Sequence, residues 1–171
     1  YLKDEVIDVM QQDNKGQNII FKAVQSNNIA MIEAVVNLIE DKWSTSSKKS
    51  AHSKIKELLE IKDKQGQTVL DRAIGLKSSL PIKASLPIVK LLVEKGAQLT
   101  NPQLSFLVAS NNIDVVKLFL EHSKLSPSVH DLSRAFNTQN PELLKVLLDS
   151  KYLPSDTKNK FVKSALLGSL N

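Results

Sequence analysis

The chain has 171 residues, of which 42% are hydrophobic and 24% charged, and its 23 basic and 18 acidic side chains give a net charge of +5. This length and composition are typical of one globular domain with a substantial core. The absence of cysteine excludes disulfides and thiolate metal sites, and no apolar run approaches the roughly 18 residues that a membrane span needs.

A short stretch near the start of the chain occurs a second time. Residues 12–24 have the sequence QDNKGQNIIFKAV and residues 62–74 have KDKQGQTVLDRAI, so that Gly16 matches Gly66. A catalytic loop is normally needed once, whereas a structural unit is reused, so the repetition predicts a repeat architecture. In each copy the glycine suits a tight turn with positive φ.

The helix signals follow in chain order. Asn18 and Thr68 have the side chains of helix N-caps. Four further starts are predicted at a residue followed by proline, namely Leu86-Pro87, Asn101-Pro102, Ser126-Pro127 and Asn140-Pro141. Between these signals lie amphipathic segments with helical periodicity, at 31–39, 88–97, 115–122 and 143–150. Sustained alternation is absent, so we expect an all-α array of helical hairpins.

The quoted residues resemble the ankyrin-repeat pattern D-x-x-G-x-T-P-L-H-x-A, which continues into a V-V-x-L-L-L helix and Gly-Ala. The second copy matches best, through Gly66, Thr68, Leu70 and Ala73 and then Gly96-Ala97. The proline and histidine of T-P-L-H are missing from both copies, and the later repeats are short. The resemblance spans nearly the whole chain and implies a single domain, an ankyrin-repeat α-solenoid. Its parts are the end of a preceding repeat (1–11), four repeats (12–42, 62–99 with an insertion between its helices, 100–124, 125–152), an insertion with a short helix (43–61) and a capping half-repeat (153–171).

In such an array, stacking neighbours bury a continuous core. We expect five leucines to pack between the outer helices of adjacent repeats: Leu91, Leu92, Leu118, Leu147 and Leu148.

The insertion has the most unusual local composition. Residues 42–67 hold seven lysines against three acids, and residues 44–54 are rich in Ser and Lys. That stretch fits a basic contact loop, a phosphorylation site or a solvated connection. Helical periodicity resumes over 53–61, which predicts a short helix packed on the array. Trp43 suits either a cover for this junction or a partner-binding hot spot.

No pattern indicates catalysis or metal binding. The three histidines, His52, His122 and His130, have neither H-x-x-x-H spacing nor a cysteine nearby. There is no G-x-S-x-G motif and no glycine-rich phosphate loop. We therefore expect no enzyme activity, no metal and no cofactor.

The resemblance places a partner-binding groove on the inner helices and the turns before them. Its exposed positions would hold Lys22, Arg72, Phe106 and Arg134, and next to them Gln25, Ser26, Ser110, Asn137 and Thr138. Weaker candidates in the turns are Asn14, Lys15, Lys64 and Gln65. Three cations and one aromatic would suit an acidic protein segment with an apolar anchor. The alternative interpretation is that these are ordinary solvated positions without a role in binding.

The resemblance thus implies a non-enzymatic protein–protein interaction module. Its composition is similar to that of repeats in effector proteins of intracellular bacteria, which would place it in a cytoplasm, that of the host if it is secreted. The alternative is a scaffold or substrate-recruiting domain of a larger enzyme, and a third interpretation is nucleic-acid binding through residues 42–67. The opening YLKDEVIDVM lacks an initiator Met, so we expect a fragment of a longer protein, and a monomer.

Overall fold

The computed structural model describes residues 8–44, 48–76 and 85–168. Within these ranges the chain forms ten α-helices and no strand, which confirms the all-α prediction. The chain divides into two compact units, Tyr1–Gln98 and Leu99–Asn171, and the boundary lies beside the predicted repeat start at residue 100. That all 171 residues form a single repeat domain stays a prediction.

Unit 1 contains five helices: α1 (Ile19–Gln25), α2 (Ile29–Ser44), α3 (Lys48–Leu59), α4 (Val69–Ile74) and α5 (Leu86–Glu94). Helices α1 and α4 follow the two copies of the repeated sequence, and they pack on each other. Each also contacts the helix that follows it, α1 with α2 and α4 with α5, although the chain between α4 and α5 includes residues outside the described ranges. The repeated sequence therefore builds the start of two adjacent helical hairpins.

Helix α3 confirms that the insertion carries a short helix, which packs on α2. It begins at Lys48 and not near residue 53, so residues 48–54 of the Ser/Lys-rich stretch are helical and the prediction of a loop is wrong there. Its carboxyl end is held by Asn18, whose Nδ2 donates to the Leu58 carbonyl at 3.0 Å, while the Asn18 Oδ1 caps α1. On its other side, Glu60 accepts from the Gln98 backbone N–H at 2.7 Å. His52 lies against Gly96. The insertion is thus bonded to the hairpins on both sides, and residues 45–47 of its Ser/Lys-rich stretch lie outside the described ranges.

Unit 2 contains α6 (Asn101–Ala109), α7 (Ile113–His122), α8 (Val129–Asn137), α9 (Pro141–Leu148) and α10 (Ser155–Leu166). Helices α6, α8 and α10 pack side by side in succession, and α7 and α9 pack on each other as a second row. Hairpins α6–α7 and α8–α9 connect the two rows. This is a stack of hairpins within the unit.

Two of the predicted proline-marked helix starts are displaced, and one is wrong. Asn140 caps α9 as predicted, but α5 and α6 begin at Leu86 and Asn101, so the residue before proline is already helical. Ser126 is not a cap, because α8 begins at Val129 and is capped by Ser128. The Ser128 hydroxyl and the Asp131 carboxylate form a capping box, which satisfies two free backbone N–H groups and so fixes the start better than the proline does.

The connections within three hairpins share a short polar motif. The middle residues Asn27, Asn111 and Gln139 all have positive φ, between 50° and 55°. Each is followed by an asparagine that accepts from backbone N–H groups of the next helix: Asn28, Asn112 and Asn140. A left-handed residue followed by a capping side chain ends one helix and begins the next within two residues.

The core is mostly aliphatic, as the low aromatic content predicts, although Phe21 and Phe119 are among the largest fully buried side chains. Of the five leucines expected between outer helices, three are buried: Leu92, Leu118 and Leu147. Leu91 and Leu148 are only partly buried, because each lies on the flank of its helix rather than on the stripe that faces the core.

Candidate partner-binding site

The two copies of the repeated sequence fold into two equivalent turns, the first turn (residues 13–18) and the second turn (residues 63–68). In the first, Asp13 Oδ1 accepts from the backbone N–H groups of Lys15 and Gln17, at 2.8 and 2.9 Å. In the second, Asp63 Oδ1 accepts from the equivalent groups at 2.9 and 3.0 Å. The glycines have φ of 75° and 73°. The repetition therefore encodes a rigid turn before a capped helix.

The other oxygen of each aspartate holds a cation from the following helix. Asp13 Oδ2 pairs with Lys22 at 2.7 Å, and Asp63 Oδ2 pairs with Arg72 at 2.6 Å. Arg72 also donates to Gln65 Oε1 at 2.8 Å. Of the three cations predicted to bind a partner, Lys22 and Arg72 are thus already paired with aspartates within unit 1.

The two ion pairs differ in burial, and this affects the carboxyl pKa values. The hydrogen bond from Lys22, with those from backbone N–H groups, lowers the pKa of Asp13 to about 2. Burial acts to raise the pKa of Asp63, but hydrogen bonds from Arg72 and from the turn outweigh it, and the pKa lies below its ordinary value. The Asp63 side chain is 1% exposed, against 30% for Asp13. The second turn therefore contains a buried charge and the first does not.

The two turns are also joined to each other. The Lys64 backbone N–H donates to the Lys15 carbonyl at 2.9 Å. At Gly16 a Cβ would lie 3.0 Å from the Lys64 nitrogen and 3.2 Å from the Asp63 Cα, whereas at Gly66 it would meet nothing within 4 Å. Gly16 is therefore needed for two reasons, its positive φ and the close approach of the next turn.

A pocket of about 450 Å³ opens beside the turns, between α1, α4 and the start of α5. Its floor is apolar and its rim polar, and the lining consists of Val24, Gln25, Asn27, Arg72, Ala73, Ser85 and Ile88. Gln25 donates to Gln17 Oε1 at 3.0 Å, which connects the rim to the first turn, and Arg72 connects it to the second. We name this feature the unit 1 pocket. It brings two of the predicted site residues, Gln25 and Arg72, together.

The predicted hydroxyl residues bond to their own helices. Ser26 donates to the Ala23 carbonyl at 2.6 Å, Ser110 to the Phe106 carbonyl at 2.8 Å and Thr138 to the Ala135 carbonyl at 2.7 Å. Each hydroxyl therefore satisfies a carbonyl at a helix end. A role for Ser26 or Ser110 in partner binding stays a prediction.

The other predicted residues do not line the unit 1 pocket. Trp43 is half-buried at the end of α2, with the Lys42 Nζ 5.0 Å from its ring centroid. In unit 2, Phe106 is half-buried, and the exposed Arg134 lies 2.9 Å from the His130 Nε2. Asn137 lines a second pocket of about 540 Å³ at the α8–α9 connection.

The described ranges contain no group of three or more His, Cys, Asp or Glu side chains that could hold a metal ion. Among the same residues, no helix has both the length and the apolar composition to cross a membrane. His130 and His52 contact Arg134 and Gly96, respectively.

We expect acid to weaken the fold through the two turns. A carboxyl whose folded pKa is below the ordinary 3.8 stabilises the fold above that value and loses the contribution as the pH falls through the folded pKa. The urea midpoint should therefore fall between about pH 4 and pH 2, and Asp13→Asn should show a smaller fall than the wild type. An equal fall in both proteins would contradict a folded-state pKa near 2 for Asp13.

No protein-family model, no curated protein and no solved structure matches the chain significantly.

Proposed function

We propose that the chain is a divergent ankyrin-like repeat protein that acts without catalysis, by binding another protein through the unit 1 pocket and the turns beside it. The observation that supports this most strongly is the pocket itself, whose apolar floor and few convergent polar groups are typical of binding sites. The repeated turns with capped helices support the ankyrin-like part of the proposal.

Rigidity of the rim supports binding over a solvated surface. Arg72 and Gln25 are each fixed by hydrogen bonds to a turn. Side chains that are already ordered lose less conformational entropy when a partner binds. A partner would therefore meet a preorganised rim around a pocket that admits an apolar side chain.

The test is to block the pocket without disturbing the turns. Ser85 lines the mouth, and its side chain makes no capping hydrogen bond, so Ser85→Trp should fill the pocket while the fold persists. We expect proteins captured from a cell lysate by the wild type to be lost with this variant, by at least about tenfold, the effect of one central anchor. Charge reversal at Arg72 is unsuitable, because it would place a second carboxylate beside Asp63.

The matched control is Lys90→Trp, which adds the same indole to an exposed position of α5 outside the pocket. Circular dichroism and thermal melting of both variants would show that they fold. If the wild type and Ser85→Trp captured the same partners equally well, the pocket would not be the binding site and the proposal would be wrong on this point.

A further inference from the structure

Two lysines, Lys15 and Lys64, belong to the turns that are bonded to the rim of the unit 1 pocket. Lys15 and Lys64 are exposed, and the bond between the Lys64 N–H and the Lys15 carbonyl holds their backbones together. Asp13 and Asp63 form their ion pairs with Lys22 and Arg72, respectively. Within the described part of the chain, neither the Lys15 nor the Lys64 side chain forms a hydrogen bond or an ion pair.

The two ammonium groups are carried by turns whose backbones are hydrogen-bonded to each other, and like charges repel over distances up to about a Debye length. The two turns and the helix residues bonded to them hold four cations, Lys15, Lys22, Lys64 and Arg72, against three carboxylates, Asp13, Asp63 and Asp71, the last of which accepts from the Thr68 backbone N–H. Fixed hydrogen bonds prevent the turns from moving apart. The excess positive charge is therefore concentrated at the two lysines.

We propose that the partner is an acidic protein segment which places an apolar side chain in the unit 1 pocket and carboxylates on Lys15 and Lys64. The inference rests on the proposed function and names the chemistry of its partner. Arg72 connects the two parts of the surface, since it lines the pocket and bonds to the second turn. Because the Arg72 guanidinium is already paired with Asp63, we expect the carboxylates of the partner to bind Lys15 and Lys64 instead.

An extended segment suits this surface better than a folded one. The pocket volume of about 450 Å³ leaves room for a large apolar side chain, and the turn that carries Lys64 is bonded to Arg72 at the pocket rim, so neighbouring residues of one strand-like peptide can reach both. Exposed ion pairs contribute modestly and are screened by salt. The apolar anchor would therefore supply most of the affinity, and the lysines would supply preference for acidic sequences.

The experiment uses a phage-displayed library of random peptides about twelve residues long and the complete 171-residue chain. We expect enrichment of peptides with one large apolar residue flanked by Asp or Glu. For an enriched peptide, measured by fluorescence polarisation, Lys15→Gln/Lys64→Gln should raise Kd about 2- to 30-fold, the range for two exposed ion pairs. The control Lys56→Gln/Lys90→Gln removes two exposed charges of unit 1 elsewhere and should leave Kd unchanged.

The outcomes separate this inference from the proposed function. Enriched peptides without acidic residues, blocked by Ser85→Trp but not by the lysine variant, would keep the pocket and overturn the acidic partner. Enriched peptides whose binding is reduced neither by Ser85→Trp nor by the lysine variant would overturn the inference, and so would a library without any enrichment. The lysate capture described above tests the proposed function independently. Binding of a random-sequence duplex DNA that requires Lys15 and Lys64, with no peptide bound, would overturn it in favour of nucleic acid.

Discussion

Replacing Arg72 by methionine should lower the free energy of unfolding by about 2–4 kcal/mol, because it leaves the Asp63 carboxylate buried without its countercharge. Methionine keeps most of the apolar stem, so the loss would report the ion pair rather than packing. Two features keep it from being larger. Asp63 retains two backbone donors, and the Arg72 side chain is already 27% exposed. Urea denaturation at pH 7 is the measurement.

The first turn provides the matched comparison. Lys22→Met removes the equivalent cation, but Asp13 and Lys22 are 30% and 52% exposed, so water replaces the lost partner and the effect should be much smaller. In the double variant Arg72→Met/Asp63→Asn most of the Arg72 effect should disappear, since no buried charge remains. Equal losses for the two single variants would show that burial does not distinguish the two pairs.

The sequence predicted the two turns but not the ion pairs that their aspartates form with the following helices. Gly16 and Gly66, Asn18 and Thr68 follow local rules for turns and caps, and these predictions are confirmed. The ion pairs join residues nine apart across a turn, a separation for which no local rule exists. The signal was nevertheless present, because both copies place an aspartate nine positions before a lysine or arginine.

The same contrast applies to the candidate site. The ankyrin resemblance predicted that Lys22 and Gln25 are exposed, and both are exposed on α1, but exposure alone does not reveal whether a side chain has a partner. The serine residues before the hairpin connections show this as well, since the recurring S-N-N at 26–28 and 110–112 encodes helix ends. That repetition could have been found in the sequence and would have favoured a structural role. The unit 1 pocket depends on how three helices pack, which no local pattern specifies.

The second large effect should distinguish the two glycines of the turns. Gly66→Ala should lower the free energy of unfolding by about 1 kcal/mol, the cost of a positive φ for an L-residue reduced by the lower entropy of the unfolded chain. Gly16→Ala should lower it by about 2–4 kcal/mol, because a Cβ 3.0 Å from the Lys64 nitrogen also disrupts a backbone hydrogen bond. All three nearest atoms are backbone, so no side chain can rotate away.

Asparagine separates the two contributions to the Gly16 effect. It tolerates positive φ better than alanine does, yet it carries the same Cβ, so Gly66→Asn should be nearly neutral while Gly16→Asn remains destabilised. Chemical denaturation of the four variants gives the comparison, and similar losses at both glycines would contradict the close approach of the turns. The hydrogen bond that is lost holds the backbones of Lys15 and Lys64 together. Gly16→Ala should therefore also weaken the binding of an acidic peptide, under conditions where the variant is still folded. Gly66→Ala, which leaves that bond in place, should bind the peptide as the wild type does.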